Sequence, residues 1–339
     1  MAKEAPATEA EAKENKLHAI AMAVALTDKE FGKGSIMQLG DKEIEPWPSV
    51  STGALTLDKM LGIGGMPKGR VVELYGPESS GKSTLALSVV AQAQKTGLVC
   101  VYIDAENALD PRYMQRLGVN LDELWLSQPS SAEEALKIVE NMVKTGEVGV
   151  VVVDSVAALV PQAELDGEMG DSHMGIKARL MGQAMRKLVN LIAETNTLVL
   201  FINQLRMKIG VVYGNPETQP GGKALPYAAS LRLDIRKKED IKDKKTGAVI
   251  GLRSKVKAVK NKMGPPLKMS EFDIIYGEGI DDEGCIFDLG VEMELIEKSG
   301  TWFTIGGEKN CAQGRDQGVR YLKDNPEIAK ALRETILND

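Results

Sequence analysis

The sequence predicts an α/β protein whose core is a mostly parallel, doubly wound sheet with helices on both faces. Short aliphatic segments alternate with helical ones from about residue 70 to residue 204, as in a series of strand–helix–strand units. The segment at residues 148–153 is almost all valine, which is typical of a strand buried on both faces of a parallel sheet. A glycine-rich motif at residues 76–83 stands between a predicted strand and a predicted helix.

This glycine-rich motif predicts a nucleoside triphosphate site. It matches the pattern G-x-x-x-x-G-K-[ST] at every fixed position. Its glycines let backbone N–H groups surround a polyphosphate, and the start of the following helix adds positive potential. The lysine would bind the terminal phosphates, and the last serine hydroxyl would ligate Mg²⁺. The motif consists of Gly76, Pro77, Glu78, Ser79, Ser80, Gly81, Lys82 and Ser83.

Composition and charge limit the classes of protein to which the chain can belong. The chain has 339 residues, 43% hydrophobic and 27% charged, as expected of a soluble globular protein. Its formal net charge is −6, so nucleic-acid binding would need a local basic surface. The cysteines Cys100, Cys285 and Cys311 are scattered and predict neither a disulfide framework nor a zinc site. We see no signal peptide and no apolar run long enough to span a bilayer, so we expect a cytoplasmic protein with no membrane partner.

Polar side chains follow three further predicted strands, at Glu106, Asp154 and Gln204. Because ligands gather at the carboxyl ends of parallel strands, we expect these side chains beside the phosphate loop. Asp154 fits a second carboxylate on the Mg²⁺ side, acting through water, and Glu106 fits a base that orients the attacking water. Gln204 could hydrogen-bond a γ-phosphate and report its presence to the segment that follows.

Four regions are predicted along the chain. Residues 1–14 predict a disordered leader, and residues 15–45 predict a helix followed by a tether. Residues 46–279 predict the main domain, and residues 280–339 a small α+β appendage. The apolar stripe of the first helix either packs on its own domain or docks on a neighbouring copy, and the pattern alone leaves both open.

Two segments are too long to be simple connectors, residues 166–175 (the first loop) and residues 205–222 (the second loop). Long loops inside a compact domain are usually functional or disordered, and the second loop begins directly after Gln204. Further on, alternation places Lys260 and Lys262 on one face of a predicted strand. From the residues alone, that face is a solvent-exposed surface.

The chain resembles the bacterial RecA recombinase family from about residue 15 to its C-terminus. The resemblance implies a RecA-like P-loop NTPase core with a mostly parallel central sheet, an N-terminal polymerisation helix and a small C-terminal α+β domain. It rests on the phosphate loop and on residues 31–37, 154–159, 170–175, 201–204 and 214–218.

The resemblance also implies an activity and its partners. Members of the family form helical filaments on single-stranded DNA, with ATP and Mg²⁺ between protomers, and hydrolyse ATP in a DNA-dependent way. They pair the bound strand with homologous duplex DNA in recombination and DNA repair. Their filament also promotes self-cleavage of the SOS repressor.

Residue matches to the family imply individual roles. Asp110 and Tyr113 would contact the adenine, Glu106 would be the catalytic carboxylate and Gln204 the γ-phosphate sensor. Lys260 and Lys262 would reach the ATP of the adjacent protomer, as an arginine finger does in trans. The two loops would bind DNA. Matching DNA-binding positions are Met174, Arg179, Arg186, Met207, Ile209, Gly221 and Gly222, with Arg206, Lys208 and Lys223 as further basic groups in or beside the second loop.

Four residues depart from the family pattern. Asn107 stands where a histidine is usual, next to the predicted catalytic acid, and Gly182 replaces a serine expected to touch a DNA phosphate. Lys223 replaces a usual asparagine, and Pro226 precedes Tyr227 where Lys-Phe is usual. The chain ends at residues 338–339 without the long acidic tail of many members, so we expect weaker restraint on DNA access.

Three other functions share parts of this pattern. A hexameric helicase or other ATP-driven motor would need ring-forming or primase-binding domains, which we do not recognise. A small-molecule kinase would need a lid and an acceptor pocket instead of two long loops carrying basic residues and methionines. A non-enzymatic filament gated by nucleotide would follow if Asn107 weakened Glu106.

Overall fold

The structure is a computed structural model. It describes residues 9–38, 40, 46–168, 175–207, 214 and 216–338, with the backbone only at residues 9–12. The helices are α1 Glu9–Phe31, α2 Leu55–Leu61, α3 Lys82–Lys95, α4 Pro111–Arg116, α5 Ala132–Lys144, α6 Gln162–Leu165, α7 Ile176–Glu194, α8 Ala224–Ala228, α9 Asp282–Glu292, α10 Arg315–Asp324 and α11 Pro326–Asn338. The strands are β1 Ser49–Val50, β2 Met66–Pro67, β3 Val71–Gly76, β4 Val99–Asp104, β5 Leu124–Ser127, β6 Val148–Asp154, β7 Leu198–Gln204, β8 Arg206–Met207, β9 Glu217–Thr218, β10 Leu231–Lys242, β11 Val249–Asn261, β12 Met269–Ile275, β13 Gly279–Ile280, β14 Glu297–Ser299, β15 Trp302–Ile305 and β16 Glu308–Gln313.

The central sheet has the order β13-β12-β11-β10-β3-β7-β6-β4-β5 in the described part of the chain. The six strands from β10 to β5 pair in parallel. The strands β11, β12 and β13 extend this sheet by antiparallel pairing. The prediction of a mostly parallel sheet is confirmed. The phosphate loop follows β3, which lies in the middle of the sheet.

Apolar side chains cover both faces of the sheet. Along β6, Val150 and Val152 join the cluster that contains α2 and α3, whereas Val151 and Val153 join the cluster that contains α5 and α7. Successive side chains of a strand point to opposite faces, so a strand covered on both faces is apolar at every position. The valine run predicted a strand of this kind, and every residue of β6 is buried.

Residues 1–46 form a unit of their own, separate from residues 47–339. The helix α1 begins at Glu9, six residues earlier than the sequence predicted, so residues 9–14 are helical and not part of a disordered leader. Alanine, glutamate and lysine, which dominate this stretch, are strong helix formers even without an apolar period. Residues 1–8 lie outside the described residues. Within α1, the side chains of Leu17, Ile20, Leu26 and Phe31 are exposed.

The C-terminal part of the chain is a small α+β arrangement. Its strands β14, β15 and β16 form an antiparallel sheet, and α9, α10 and α11 accompany it. Phe287 of α9 packs edge-to-face on Phe303 of β15, with ring centroids 4.9 Å apart. The small appendage predicted from the sequence is therefore present. No helix among the described residues combines the length and the apolar composition that a membrane-spanning segment needs.

Candidate nucleotide site and nucleic-acid interface

The phosphate loop connects β3 to α3 and is shaped by its neighbours in the sheet. Gly81 has a φ of +95°, and a Cβ built on it would lie 2.4 Å from the Cδ1 atom of Ile274. A Cβ on Gly76 would lie 2.0 Å from the carbonyl oxygen of Ile235. The hydroxyl of Ser254 on β11 donates to the carbonyl oxygen of Ser80 at 3.0 Å. Both motif glycines are therefore required for β10, β11 and β12 to approach the loop.

The first turn of α3 presents groups that fit an anion. No described residue accepts a hydrogen bond from the backbone N–H of Gly81, Lys82 or Ser83. Such N–H groups have no partner within their own helix, and the helix dipole adds positive potential beside them. The Lys82 ammonium donates to the carbonyl oxygens of Gly76 at 3.2 Å and Pro77 at 2.6 Å. Burial lowers the pKa of Lys82, while Asp154, Glu106 and Glu78 oppose this shift.

Two oxygen ligands suited to Mg²⁺ lie side by side. The hydroxyl groups of Ser83 and Tyr102 each donate to the same oxygen of Asp154 at 2.8 Å. Burial raises the pKa of Asp154, and these two hydrogen bonds lower it in part. In the described residues, no group of three or more histidine, cysteine or acidic side chains could hold a metal by itself. Mg²⁺ here would take Ser83 and, through water, Asp154, with phosphate oxygens and waters completing its shell.

Glu106 is joined to two other strand ends by one carboxylate oxygen. Its Oε1 atom accepts from the Ser155 hydroxyl at 2.5 Å and from the Gln204 side-chain amide at 2.8 Å. These residues follow β4 and β6 and end β7, so the structure brings together the strand-end residues that the sequence singled out. Sequence reasoning gave no role to Ser155 or Tyr102. Asn107 has a φ of +54°, a left-handed conformation that asparagine adopts more readily than most residues.

Of the two predicted adenine contacts, Tyr113 lies against α3 and Asp110 caps α4. The Tyr113 hydroxyl is hydrogen-bonded to that of Thr84 at 2.7 Å, which places the ring beside the first turn of α3. Asp110 caps the N-terminus of α4, where its carboxylate accepts from the backbone N–H of Arg112 at 2.9 Å. The position of Tyr113 is compatible with a base next to the phosphate loop, and adenine contact stays a prediction for both residues.

Lys260 and Lys262 lie level with the first half of β3, whereas the phosphate loop follows the end of that strand. Lys260 pairs with Arg232 of β10, which pairs with Glu73 of β3. Lys262 lies beyond the pairing of β10 with Val72, and its backbone N–H donates to Ser230. The four residue steps of strand from Val72 to Gly76 span about 13 Å. Lys262 is therefore too far along the strand to reach the phosphate loop of its own chain.

The ammonium of Lys260 contacts a short helix. It donates to the carbonyl oxygens of Pro226 at 3.1 Å and Tyr227 at 2.9 Å, both in α8. Burial, Lys262 and Arg232 lower the pKa of Lys260. Lys262 itself lines a cavity of about 200 Å³ with Arg70. The solvent-exposed face that the sequence alone suggested is thus partly covered, and it carries several cations.

The second loop is more ordered at its base than the sequence predicted. Arg206 and Met207 form β8, which pairs with Glu217 and Thr218 of β9. At the other end, a Cβ on Gly222 would lie 2.8 Å from the Cβ of Ala178 on α7, so this end packs on that helix. Lys208 and Ile209 lie outside the described residues, as does Met174 of the first loop.

Exposed cations surround this packed base. They lie on α7, on β8 and just before α8. Because the whole chain has a net charge of −6, nucleic-acid binding would need a local basic surface of this kind. Lys223 also lines a cleft of about 600 Å³ with Arg232, Arg236 and Lys257, in which Glu217 and Asp234 pair with Arg236. The exposed cations at predicted DNA-binding positions are Arg179, Arg186, Arg206 and Lys223.

Comparison with known proteins places the chain in a family. A model of the RecA N-terminal domain matches residues 18–281, and a model of the RecA C-terminal domain matches residues 284–339. The chain belongs to the RecA family. Protein RecA of Clostridium perfringens (strain SM101 / Type A) is 55% identical over 322 residues, which cover 95% of this chain and 91% of that protein. Protein RecA of Desulforapulum autotrophicum is 55% identical over 318 residues, covering 94% and 91%. Membership indicates a protein of DNA recombination and repair that binds ATP and DNA.

Three of the four departures from the RecA pattern surround α8. A Cβ on Gly182 would lie 3.9 Å from the Cβ of Ala224, an ordinary contact, so α7 and α8 pack closely at this point. Lys223 is the residue before α8, and Pro226 within α8 supplies a carbonyl to Lys260. Three of these predicted departures thus fall around one short helix, whereas Asn107 follows Glu106 in the nucleotide site.

A buried polar network ties the second loop to the sheet, and the sequence reading missed it. The fully buried carboxylate of Glu73 accepts from Arg232 at 2.6 Å and from the Asn203 side-chain amide at 3.2 Å. Arg232 also donates to Gln219 at 2.8 Å, and Asn203 to the carbonyl oxygen of Pro220 at 3.3 Å. Asn203 precedes the γ-phosphate sensor predicted from the RecA resemblance. The one signal for this network in the sequence was Glu73, an acid inside an otherwise apolar strand.

Proposed function

We propose that this protein is a DNA-dependent ATPase that forms helical filaments on single-stranded DNA and pairs that strand with homologous duplex DNA. The observation that carries the proposal is the position of Gln204. Its side chain donates to Glu106 in the nucleotide site, and its backbone continues directly into the second loop. A change at the phosphates can therefore reach a DNA-binding segment through one residue.

The residues of the site have separate roles in ATP hydrolysis. With Mg²⁺ bound, the γ-phosphate of ATP would be the electrophile for an attacking water, and breaking its bond to the β–γ bridging oxygen would release ADP. Lys82 would bind the terminal phosphates, and Ser83 and, through water, Asp154 would hold the metal. Glu106 orients the water and accepts its proton, which requires that its carboxylate be accessible.

Gln204 acts as a switch between two partners. Its amide donates to the Glu106 oxygen that also accepts from Ser155. A terminal phosphate competes for the same amide, because it is a stronger acceptor than a carboxylate that already has a second donor. Transfer of the amide frees Glu106 and moves the start of the second loop.

The site is completed by a second protomer. Lys260 and Lys262 lie away from the phosphate loop of their own chain, and cations of this kind stabilise charge on a transferring phosphoryl group. We therefore assign them to the ATP of the adjacent protomer. Membership in the RecA family supports this assembly, action as a cofactor for SOS repressor self-cleavage, and residence in the cytoplasm.

The proposal is tested by measuring phosphate release with and without single-stranded DNA. We expect DNA to raise the rate and Lys82→Ala to abolish hydrolysis in both conditions. Equal rates with and without DNA in the unaltered protein would contradict the proposal, and no hydrolysis in either condition would favour a non-enzymatic, nucleotide-gated filament.

Electron micrographs separate the remaining functions. Protein mixed with single-stranded DNA and a slowly hydrolysed ATP analogue should form striated filaments. Rings would favour a hexameric motor, and isolated particles would favour a small-molecule kinase.

A further inference from the structure

Lys177 bridges the two ends of the segment that contains the first loop. It is the second residue of α7, and its ammonium donates to the carbonyl oxygens of Ala157 at 2.9 Å and Val156 at 3.4 Å. These carbonyls lie 20 and 21 residues earlier in the chain, shortly after β6. The side chain therefore closes the base of the first loop.

The environment of Lys177 is unlike that of a solvated surface lysine. The residue is partly buried, and burial lowers its pKa. Glu164 opposes that shift and Arg206 adds to it, so charges from α6 and β8 both act on the ammonium. Burial removes part of the water around the ammonium, and hydrogen bonds must compensate for that loss. The ammonium is therefore held by the carbonyl oxygens of Val156 and Ala157.

The end of the second loop packs on the residues next to this Lys177 contact. A Cβ on Gly221 would lie 3.1 Å from the Cγ1 atom of Val156, and one on Gly222 would lie 2.8 Å from the Cβ of Ala178. Val156 supplies one of the carbonyls to Lys177, and Ala178 follows Lys177 in the chain. The bases of the two loops therefore meet at Val156, Ala178, Gly221 and Gly222, which we call the loop junction.

The loop junction is one residue from the nucleotide site. Ser155 precedes Val156, and its hydroxyl donates to Glu106 at 2.5 Å. The backbone N–H of Val156 donates to the carbonyl oxygen of Ile202 on β7 at 2.8 Å, two residues before Gln204. A displacement of Val156 and Ala157 would thus move both donors that bind the Glu106 carboxylate.

We propose that Lys177 is a positioning residue that couples DNA bound at the two loops to the Ser155–Glu106 contact. This inference rests on the proposed function. Movement of α7 on binding DNA is carried by the ammonium to the carbonyls of Val156 and Ala157, and from there to the serine that orients the catalytic carboxylate. Lys177 itself touches neither the nucleotide nor the reacting water.

The test compares Lys177→Met, Lys177→Arg and the control Lys187→Met. Methionine keeps most of the aliphatic stem and removes the donors, whereas arginine restores them. Lys187 is an exposed lysine on the same helix. For each variant we would measure hydrolysis without DNA, hydrolysis at saturating single-stranded DNA, and DNA affinity by fluorescence anisotropy.

We expect Lys177→Met to lower the DNA-stimulated rate about tenfold, as for loss of a charge-assisted hydrogen bond, with DNA affinity changed less than about threefold. The rate without DNA should stay within about twofold, and Lys177→Arg should recover most of the stimulation. A full rate at saturating DNA with weakened affinity would make Lys177 a direct DNA contact and overturn the inference. An equal fall in both rates would make its role purely structural and overturn it too. Absence of stimulation in the unaltered protein would instead defeat the proposed function.

Discussion

Replacing Arg232 by methionine should destabilise the unit of residues 47–339 by about 3–5 kcal/mol, the usual cost of breaking a buried ion pair. The Glu73 side chain is 0% exposed and that of Arg232 only 17%. Without the guanidinium, the described donor left to this carboxylate is the Asn203 amide at 3.2 Å. A buried charge with one neutral donor is poorly compensated, and this accounts for most of the expected cost.

Thermal unfolding followed by fluorescence gives the measurement. For a unit of this size, each kcal/mol shifts the midpoint by about 2 °C, so Arg232→Met should lower Tm by about 6–10 °C. Adding Glu73→Gln should recover much of the loss, because the second change removes the unpaired charge. Lys137→Met, which breaks an exposed pair with Glu140, is the control and should shift Tm by about 1 °C or less.

Two results would refute this reasoning. A Tm for Arg232→Met within about 2 °C of the unaltered protein would mean that water or a rearranged donor replaces the guanidinium at no cost. A double variant less stable than Arg232→Met would mean that the carboxylate of Glu73 contributes through contacts other than the ion pair.

Three further predictions concern the switch, the loop junction and the shared site. Gln204→Ala should retain ATP binding and lose DNA stimulation of hydrolysis by at least about tenfold, because phosphate and second loop are no longer linked by one side chain. Stimulation that survives in this variant would exclude Gln204 as the switch. Gly222→Ala should cost about 2–5 kcal/mol, from a φ of +75° and a Cβ contact of 2.8 Å. Gly175→Ala, with a φ of +82° but no described atom within 4 Å of a built Cβ, should cost only about 1–2 kcal/mol. Equal Tm shifts for the two would show that the junction relaxes freely. Lys82→Ala and Lys260→Ala should each be inactive alone, yet a 1:1 mixture should recover about a quarter of the normal rate, since random head-to-tail neighbours complete that share of sites. No recovery on mixing would place Lys260 outside the shared site.

The strand ends could be predicted from the sequence because their rule is topological. Parallel strands bring their carboxyl ends to one edge, so Glu106, Asp154 and Gln204 were expected beside the phosphate loop once the alternation of strands and helices was recognised. The structure adds the contacts among them. Ser155 completes the environment of Glu106, and no local pattern distinguishes it from any serine that follows a strand.

Contacts between distant segments could not be predicted in this way. Glu73 and Arg232 are 159 residues apart, and only the pairing of β3 with β10 brings them together. No local pattern distinguishes Lys177 from other basic residues near a helix start, because its carbonyl partners lie 20 and 21 residues earlier in the chain. The predicted start of α1 was wrong for a different reason. Residues 9–14 have high helix propensity but no apolar period, so the sequence does not indicate where the helix begins.

In the proposed assembly, the placement of Lys260 and Lys262 away from the phosphate loop would make each chain a unit with two unlike ends. Stacked head to tail, a row of N protomers contains N − 1 complete sites and leaves one loop and one lysine pair unmatched at its two tips. A dimer is then half active per chain, and long rows approach full activity. The specific rate should therefore rise with protein concentration and fall when rows are fragmented, so hydrolysis itself reports the mean length of the assembly.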